Sequence, residues 1–183
     1  MLRRALLGFL SIGSFLFLGK KRALALETAA SNDLLDQGDA LLANGESWLG
    51  LKIVGYQFPN EIRDAYDSNW LMVLGHAGID GRSWSFTDPC LLTTEVEALA
   101  DWLVAVASGA ASSQDCGFIE PNLYFKRSSP NTIHVSFSLE SRPPWAEKGD
   151  FETEYGFEVP VGPSFLTMAE RLRHQLEVFP KRG

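Results

Sequence analysis

The 183-residue chain holds little that signals catalysis. It has two cysteines and three histidines. Two cysteines without a CxxC pair, and without histidines at ligand spacing, exclude a disulfide scaffold and give no zinc signature. No GxGxxG, P-loop, GxSxG, HExxH or EF-hand spacing occurs, so the common nucleotide, hydrolase and metal motifs are missing. The longest apolar run, Ala5 to Leu18, is 14 residues, short of the roughly 20 that a membrane span needs. That excludes a polytopic membrane protein. Positive charge is also scarce, with 16 Lys+Arg against 23 Asp+Glu and a net of −7. What is present is ordinary for a globular chain: 45% apolar, 11% aromatic and 21% charged residues, which excludes a disordered tail or a fibre. The length favours a single domain.

The charge is unevenly placed. Residues 1–30 carry Arg3, Arg4, Lys20, Lys21 and Arg22 against Glu27 alone, leaving 11 basic and 22 acidic residues in 31–183, a net of −11. A body this acidic does not bind nucleic-acid phosphates; it suits basic partners or solubility. The amino-terminal stretch pairs a charged start with an apolar core, the layout of a signal peptide. Ala23-Leu24-Ala25 resembles a cleavage site, whereas Lys20-Lys21-Arg22 ahead of it opposes translocation. Residues 1–22 therefore read as a signal-like leader or anchor, with a plain extension or a mis-set start as the alternatives. Residues 23–47 read as a linker with a short helix at 33–43 (DLLDQGDALLA), and 48–183 as the domain.

Within that domain the periodicity predicts strands at 51–58, 69–75 and 83–87, the last two joined by the Asp80-Gly81 turn signal. Asp88-Pro89 ends the third. Thr94 and Glu97 have capping-box spacing, and Val96, Leu99, Leu103 and Val106 follow at helical intervals, predicting a helix over about 94–108. Three alternating segments come next: 119–125, 133–139 and 151–159. They predict an antiparallel meander with one apolar and one wet face. Pro163-Ser164 opens a last helix with Phe165, Ala169, Leu172 and Leu176 on one stripe. The expected fold is α+β, an antiparallel sheet of about six strands, including the meander, covered by two helices.

Candidate chemistry is thin. His76, His134 and His174 read as surface or partly buried residues. Cys90 precedes a helix start, where the dipole lowers a thiol pKa, but a free cysteine is usually a small buried apolar residue. A bond to Cys116 would require an oxidising compartment. His134, Ser136, Ser138 and Glu140 share one strand face, yet an open face supplies no oxyanion hole. Glu120 and Glu140 come near each other across a hairpin, and without a cleft they read as surface charge rather than a glycosidase pair. Trp70 and Trp84 are expected in the core; Trp145, after Pro143-Pro144, is expected as an exposed contact.

The blocks LKIVGYQFP (51–59), YDSNWL (66–71), SWSFTDPCLLTTEV (83–96), EPNLYF (120–125), ESRPPW (140–145) and VFPKR (178–182) together resemble the WapI-type immunity proteins, across about 51–182. The resemblance implies a bacterial, non-enzymatic protein without cofactor or metal, which binds and neutralises the carboxy-terminal toxic domain of a contact-dependent toxin in the cytoplasm. It carries no catalytic residue onto this chain. Charge complementarity suggests a basic toxin, a nuclease being one such class. The contact surface this suggests is Glu120, Tyr124, Glu140, Trp145, Glu147, Asp150, Glu152, Glu154 and Glu158, with ordinary solubilising charge on an exposed sheet as the alternative. The alternatives are an exported or membrane-anchored binding or structural domain, resting on residues 1–22, and a cysteine-dependent enzyme using Cys90.

Overall fold

The computed structural model describes residues 39–149 and 153–183. The leader and most of the linker lie outside that range, as do Asp150 and Glu152. Among the described residues no helix is long and apolar enough to cross a membrane.

Four antiparallel strands form the first sheet in chain order: β1 (Ala40–Asn44), β2 (Ser47–Tyr56), β3 (Trp70–Ile79) and β4 (Arg82–Leu92). The β3–β4 turn puts Asp80 and Gly81 at φ 51° and 74°, the paired positive angles of a tight hairpin turn whose twist matches its strands. Two expectations fail here. The residues read as the end of a short helix are strand β1. Ala40 and Leu42 join the main core while Leu41 packs on Trp48 in a separate small cluster, so the clustered leucines mark a strand buried on both faces. The third strand does not stop at Asp88-Pro89 either. A register shift opposite Leu71 and Val73 accommodates the extra residues, and β4 is the sheet's edge, where proline's missing N–H costs no ladder bond.

Helix α1 (Thr93–Ala107) follows β4 without a loop. Its capping carboxylate is Glu95, not Glu97. Glu95 accepts the Leu92 N–H at 2.9 Å and, with its other oxygen, the Ile119 N–H at 2.7 Å. Thr93 is buried and spends its hydroxyl on Asn69, which moves the helix start one residue earlier.

The second sheet comprises β5 (Asp115–Cys116), β6 (Leu123–Ser129), β7 (Thr132–Phe137) and β8 (Tyr155–Pro160), followed by α2 (Pro163–Val178). The expected meander is present, with Leu123, Phe125, Ile133, Val135, Phe137, Phe157 and Val159 on its buried face. Its ends are shorter than the alternation suggested. Ile119 is exposed outside β6, and Leu139 leaves β7 at φ 49° in a single 3-10 turn (Leu139–Ser141) with its side chain exposed.

Both sheets and both helices close on one core. Trp84 is a seam between the sheets. Its ring meets Phe137 edge-on at 5.0 Å and Trp145 at 5.3 Å, and its indole N–H donates to Ser141 O at 2.9 Å. Such pairs add about 0.5–1.5 kcal/mol each beyond the area they bury. The class is α+β as expected, with eight strands in two sheets among the described residues rather than about six in one.

Candidate interaction surface

The residues expected to contact a partner fall in three places. On the open face of the second sheet, Lys126 faces His134 and His134 faces Glu158 across three strands, with Asp115 opposite Lys126. His134 holds two of the carboxylates: its Nε2 is 2.9 Å from Glu154 Oε1 and its Nδ1 is 3.2 Å from Glu158 Oε1. Glu158 also accepts the Ser128 hydroxyl at 2.5 Å. Tyr124 lies one rung away, and its hydroxyl donates to Asp115 Oδ2 at 2.6 Å; that bond holds its pKa above the ordinary phenol value. The face mixes both signs of charge.

Trp145 stands elsewhere and is half-buried, not exposed. It leans on Trp84, and the Arg82 guanidinium lies 4.3 Å from its ring centroid. Glu147 is exposed in the following loop.

Glu120 and Glu140 belong to a third place. With Gln57, Phe58, Tyr66, Asp67, Trp70, Asp88 and Pro89 they line an open groove of about 470 Å³. Its acidic side is drawn together by Asn122, which is buried. Asn122 Nδ2 donates to Asp88 Oδ2 at 3.2 Å and to Glu140 Oε2 at 3.3 Å. Burial, followed by the charges of Glu140 and Glu120, pushes the Asp88 carboxyl above its ordinary value. The groove also carries aromatic rings. Tyr66 meets Trp70 edge-on at 5.7 Å, and Phe58 and Tyr66 are 42% and 48% exposed.

Phe58 and Tyr66 belong to the long connection between β2 and β3, which has only one 3-10 turn (Asp67–Asn69). Its shape is nonetheless specified by short-range bonds. Glu61 accepts the N–H groups of Arg63 and Asp64, and Asp64 accepts those of Tyr66 and Asp67, at 2.7–3.1 Å. These amides hold both carboxyls below their ordinary values. The tail after α2 then straps the connection down. The Arg182 N–H donates to Asn69 Oδ1 at 2.9 Å, Asn69 Nδ2 donates to Arg182 O at 2.8 Å, and the Tyr56 hydroxyl donates to Pro180 O at 2.5 Å. The Arg182 guanidinium sits 3.3 Å over the Tyr56 ring and donates to Pro59 O and Glu61 O. The strands that the periodicity predicts at 51–58 and 69–75 leave out the connection between them, and with it this wall. The available signal was Phe58, Ile62 and Tyr66, three large apolar side chains within a turn-rich segment.

The alternative nucleophile does not fit its role. Cys90 is fully buried, and burial pushes its thiol up to about 12, the reverse of the activation a helix start would give. Cys116 is half-buried and also free, raised by burial to about 11. His134 is engaged by carboxylates, with Ser136 facing Tyr124 and Gly156 in register. His76 Nδ1 meets the Ser85 hydroxyl at 2.9 Å, and His174 Nδ1 meets Glu177 at 2.9 Å. No group of three or more His, Cys, Asp or Glu suited to a metal ion occurs among the described residues.

The built feature of this surface is thus an ordered acidic and aromatic groove. No curated protein sequence and no solved structure matches the chain. The model of the immunity protein WapI-like family matches residues 40–180, from the first residue of β1 to the tail that straps the groove wall. The chain therefore belongs to the WapI-like immunity protein family.

Proposed function

We propose that this protein is an immunity factor that neutralises a cognate toxin domain by binding it stoichiometrically. Family membership over residues 40–180 carries this reading. The chemistry of the surface supports it. The one cysteine placed beside a helix start is buried and protonated, and the open sheet face pairs its histidine with carboxylates rather than with a serine. The partner is a basic protein domain, of which a nuclease is one class, because an acidic body accelerates encounter with such a surface. It acts in the cytoplasm, where a toxin arriving from outside meets its target.

Co-expression with the toxin domain encoded by the adjacent gene tests the proposal. Cells survive the toxin only when this chain is present, and calorimetry on the purified pair gives a saturable complex of fixed stoichiometry. Death despite soluble, folded protein would refute it. The leader offers a second reading, an exported or anchored binding domain. Fractionation of the tagged full chain separates the two: recovery in the membrane or periplasm supports export, and a wholly cytosolic protein that retains residues 1–22 discards it.

A further inference from the structure

We propose that the groove between the 57–69 connection and the carboxylates of Asp88, Glu120 and Glu140 is a socket for an arginine side chain of the partner protein. This rests on the immunity reading for the partner's identity, but the groove's chemistry selects the side chain by itself.

The first argument is the wall. Large aromatic side chains on a loop are normally turned into the core; here Phe58 and Tyr66 face solvent across a groove whose base includes Trp70. Exposed aromatic rings held together beside a charged groove offer a contact surface that isolated apolar side chains do not. The connection that holds them is also fixed in advance, by the Glu61 and Asp64 bonds to its amides and by the Arg182 and Asn69 strap. Ordering the wall beforehand removes an entropy cost from binding.

The second argument is the charge in the groove. Asp88, Glu120 and Glu140, with Asp67 from the connection itself, line it without a lysine, arginine or histidine among its lining residues. None of the four is ion-paired among the described residues, and the single amide of Asn122 is shared between Asp88 and Glu140. The carboxylates on the open sheet face differ, since Glu154 and Glu158 both meet the ring nitrogens of His134. Negative charge that the protein leaves uncompensated beside an exposed aromatic wall asks for a cation that is also flat and apolar on its faces. A guanidinium meets both requirements. It forks to two carboxylates and stacks on an aromatic ring, whereas an ammonium is a compact, strongly hydrated point charge.

The experiment has two arms. In the first, the full chain is titrated with N-acetyl-arginine amide, following the Trp70 indole and the Tyr66 and Asp67 amides by NMR. Saturable shifts confined to the groove are expected. They weaken at least about tenfold in Glu120→Gln plus Glu140→Gln, and N-acetyl-norleucine amide gives none. Shifts that are absent, that norleucine amide reproduces, or that survive the double substitution would overturn the proposal. In the second arm the probe is the toxin domain encoded by the adjacent gene. The double variant, with an unchanged melting temperature, binds at least about tenfold more weakly and with a flatter salt dependence. Tyr66→Ser weakens binding in the same direction. Glu154→Gln plus Glu158→Gln changes affinity by less than about twofold. Wild-type protein that ignores the toxin refutes the immunity reading and leaves the first arm to decide the socket. Wild-type protein that binds the toxin while both groove variants bind equally well refutes the socket alone.

Discussion

Asn69 is the residue on which the groove wall most depends, and replacing it with alanine should cost far more than its size suggests. The side chain is 2% exposed and makes four bonds of 2.8–2.9 Å. Its amide nitrogen donates to Ala65 O and Arg182 O, and its oxygen accepts from the Thr93 hydroxyl and the Arg182 N–H. A net of about 1 kcal/mol per bond sets the scale. The partners on the loop and tail are partly exposed and regain water, which reduces their share. The Thr93 hydroxyl is buried and regains none, which raises its share. The expected loss is about 3 kcal/mol, a large part of the roughly 5–15 kcal/mol that holds a domain together. Asn69→Asp should do no better, because it turns a double donor into an acceptor facing two carbonyls. Urea unfolding at unchanged slope measures the loss. A cycle with Thr93→Ala isolates the shared bond, with an expected coupling of about 1 kcal/mol. Hydrogen exchange should speed up across 57–69 before it does in the sheets. A loss below about 1 kcal/mol, or strict additivity with Thr93→Ala, would refute the strap as the organiser of the wall.

Other expectations concern the core and the titrating groups. Gly75→Ala would place a methyl 2.0 Å from the buried Phe86 ring, so thermal unfolding should show a loss near the top of the about 1–3 kcal/mol range for overpacking; Gly55→Ala, with nothing within 4 Å, should change stability by less than about 0.5 kcal/mol. Asp88 is held above its ordinary pKa first by burial, then by Glu140 and Glu120, so the folded state binds its proton more tightly than the unfolded chain. Stability from this group is gained as pH falls through the folded value and lost as Asp88 ionises above it. Asp88→Asn should therefore stabilise the domain at neutral pH and flatten the pH profile wherever Asp88 titrates in the folded state, as measured by denaturation at several pH values. Cys90, buried and raised to about 12, should be alkylated at pH 8 no faster than the domain opens, with Cys116 labelled first; rapid native labelling of Cys90 by mass spectrometry would contradict its burial.

Which parts of the fold were readable from sequence follows from what local patterns encode. Alternation identifies a strand wherever one face is wet. It located the buried positions of β6, β7 and β8 because Tyr124, Lys126, His134 and Glu158 face outward between their apolar neighbours. It failed at β1, where Leu41 finds its own partner in Trp48 and no wet face breaks the run. Pro89 misled for a related reason: proline ends a strand only where its N–H is needed, and being at an edge depends on the whole sheet order rather than on neighbouring residues. The helix cap at α1 falls to Glu95 rather than Glu97, and Glu95 also holds the Ile119 N–H, 24 residues away in sequence and invisible to any short window.

The candidate surface was harder to read, and the reason lies in how charge behaves. Counting acidic residues on one predicted face treats each as equivalent, but a carboxylate's use depends on what it already touches. Glu154 and Glu158 share His134, Trp145 is pressed against Trp84, and Glu120 and Glu140 line one groove with aromatic residues that the alternation pattern never assigned to the same place. Bringing that wall into position takes two long-range contacts. Asn122 ties the β6 entry to Asp88 on β4, and Arg182 ties the tail to Asn69. Neither asparagine carries a sequence signature, since each is an ordinary polar residue until the chain closes around it. Substituting either one should therefore alter partner binding without touching a contact atom. For Asn122→Ala the reason is electrostatic. Asp88 and Glu140 lose their only shared donor and repel more strongly, so the Asp88 carboxyl should titrate higher still, and partner affinity should fall most steeply over the pH interval in which that carboxyl takes up its proton.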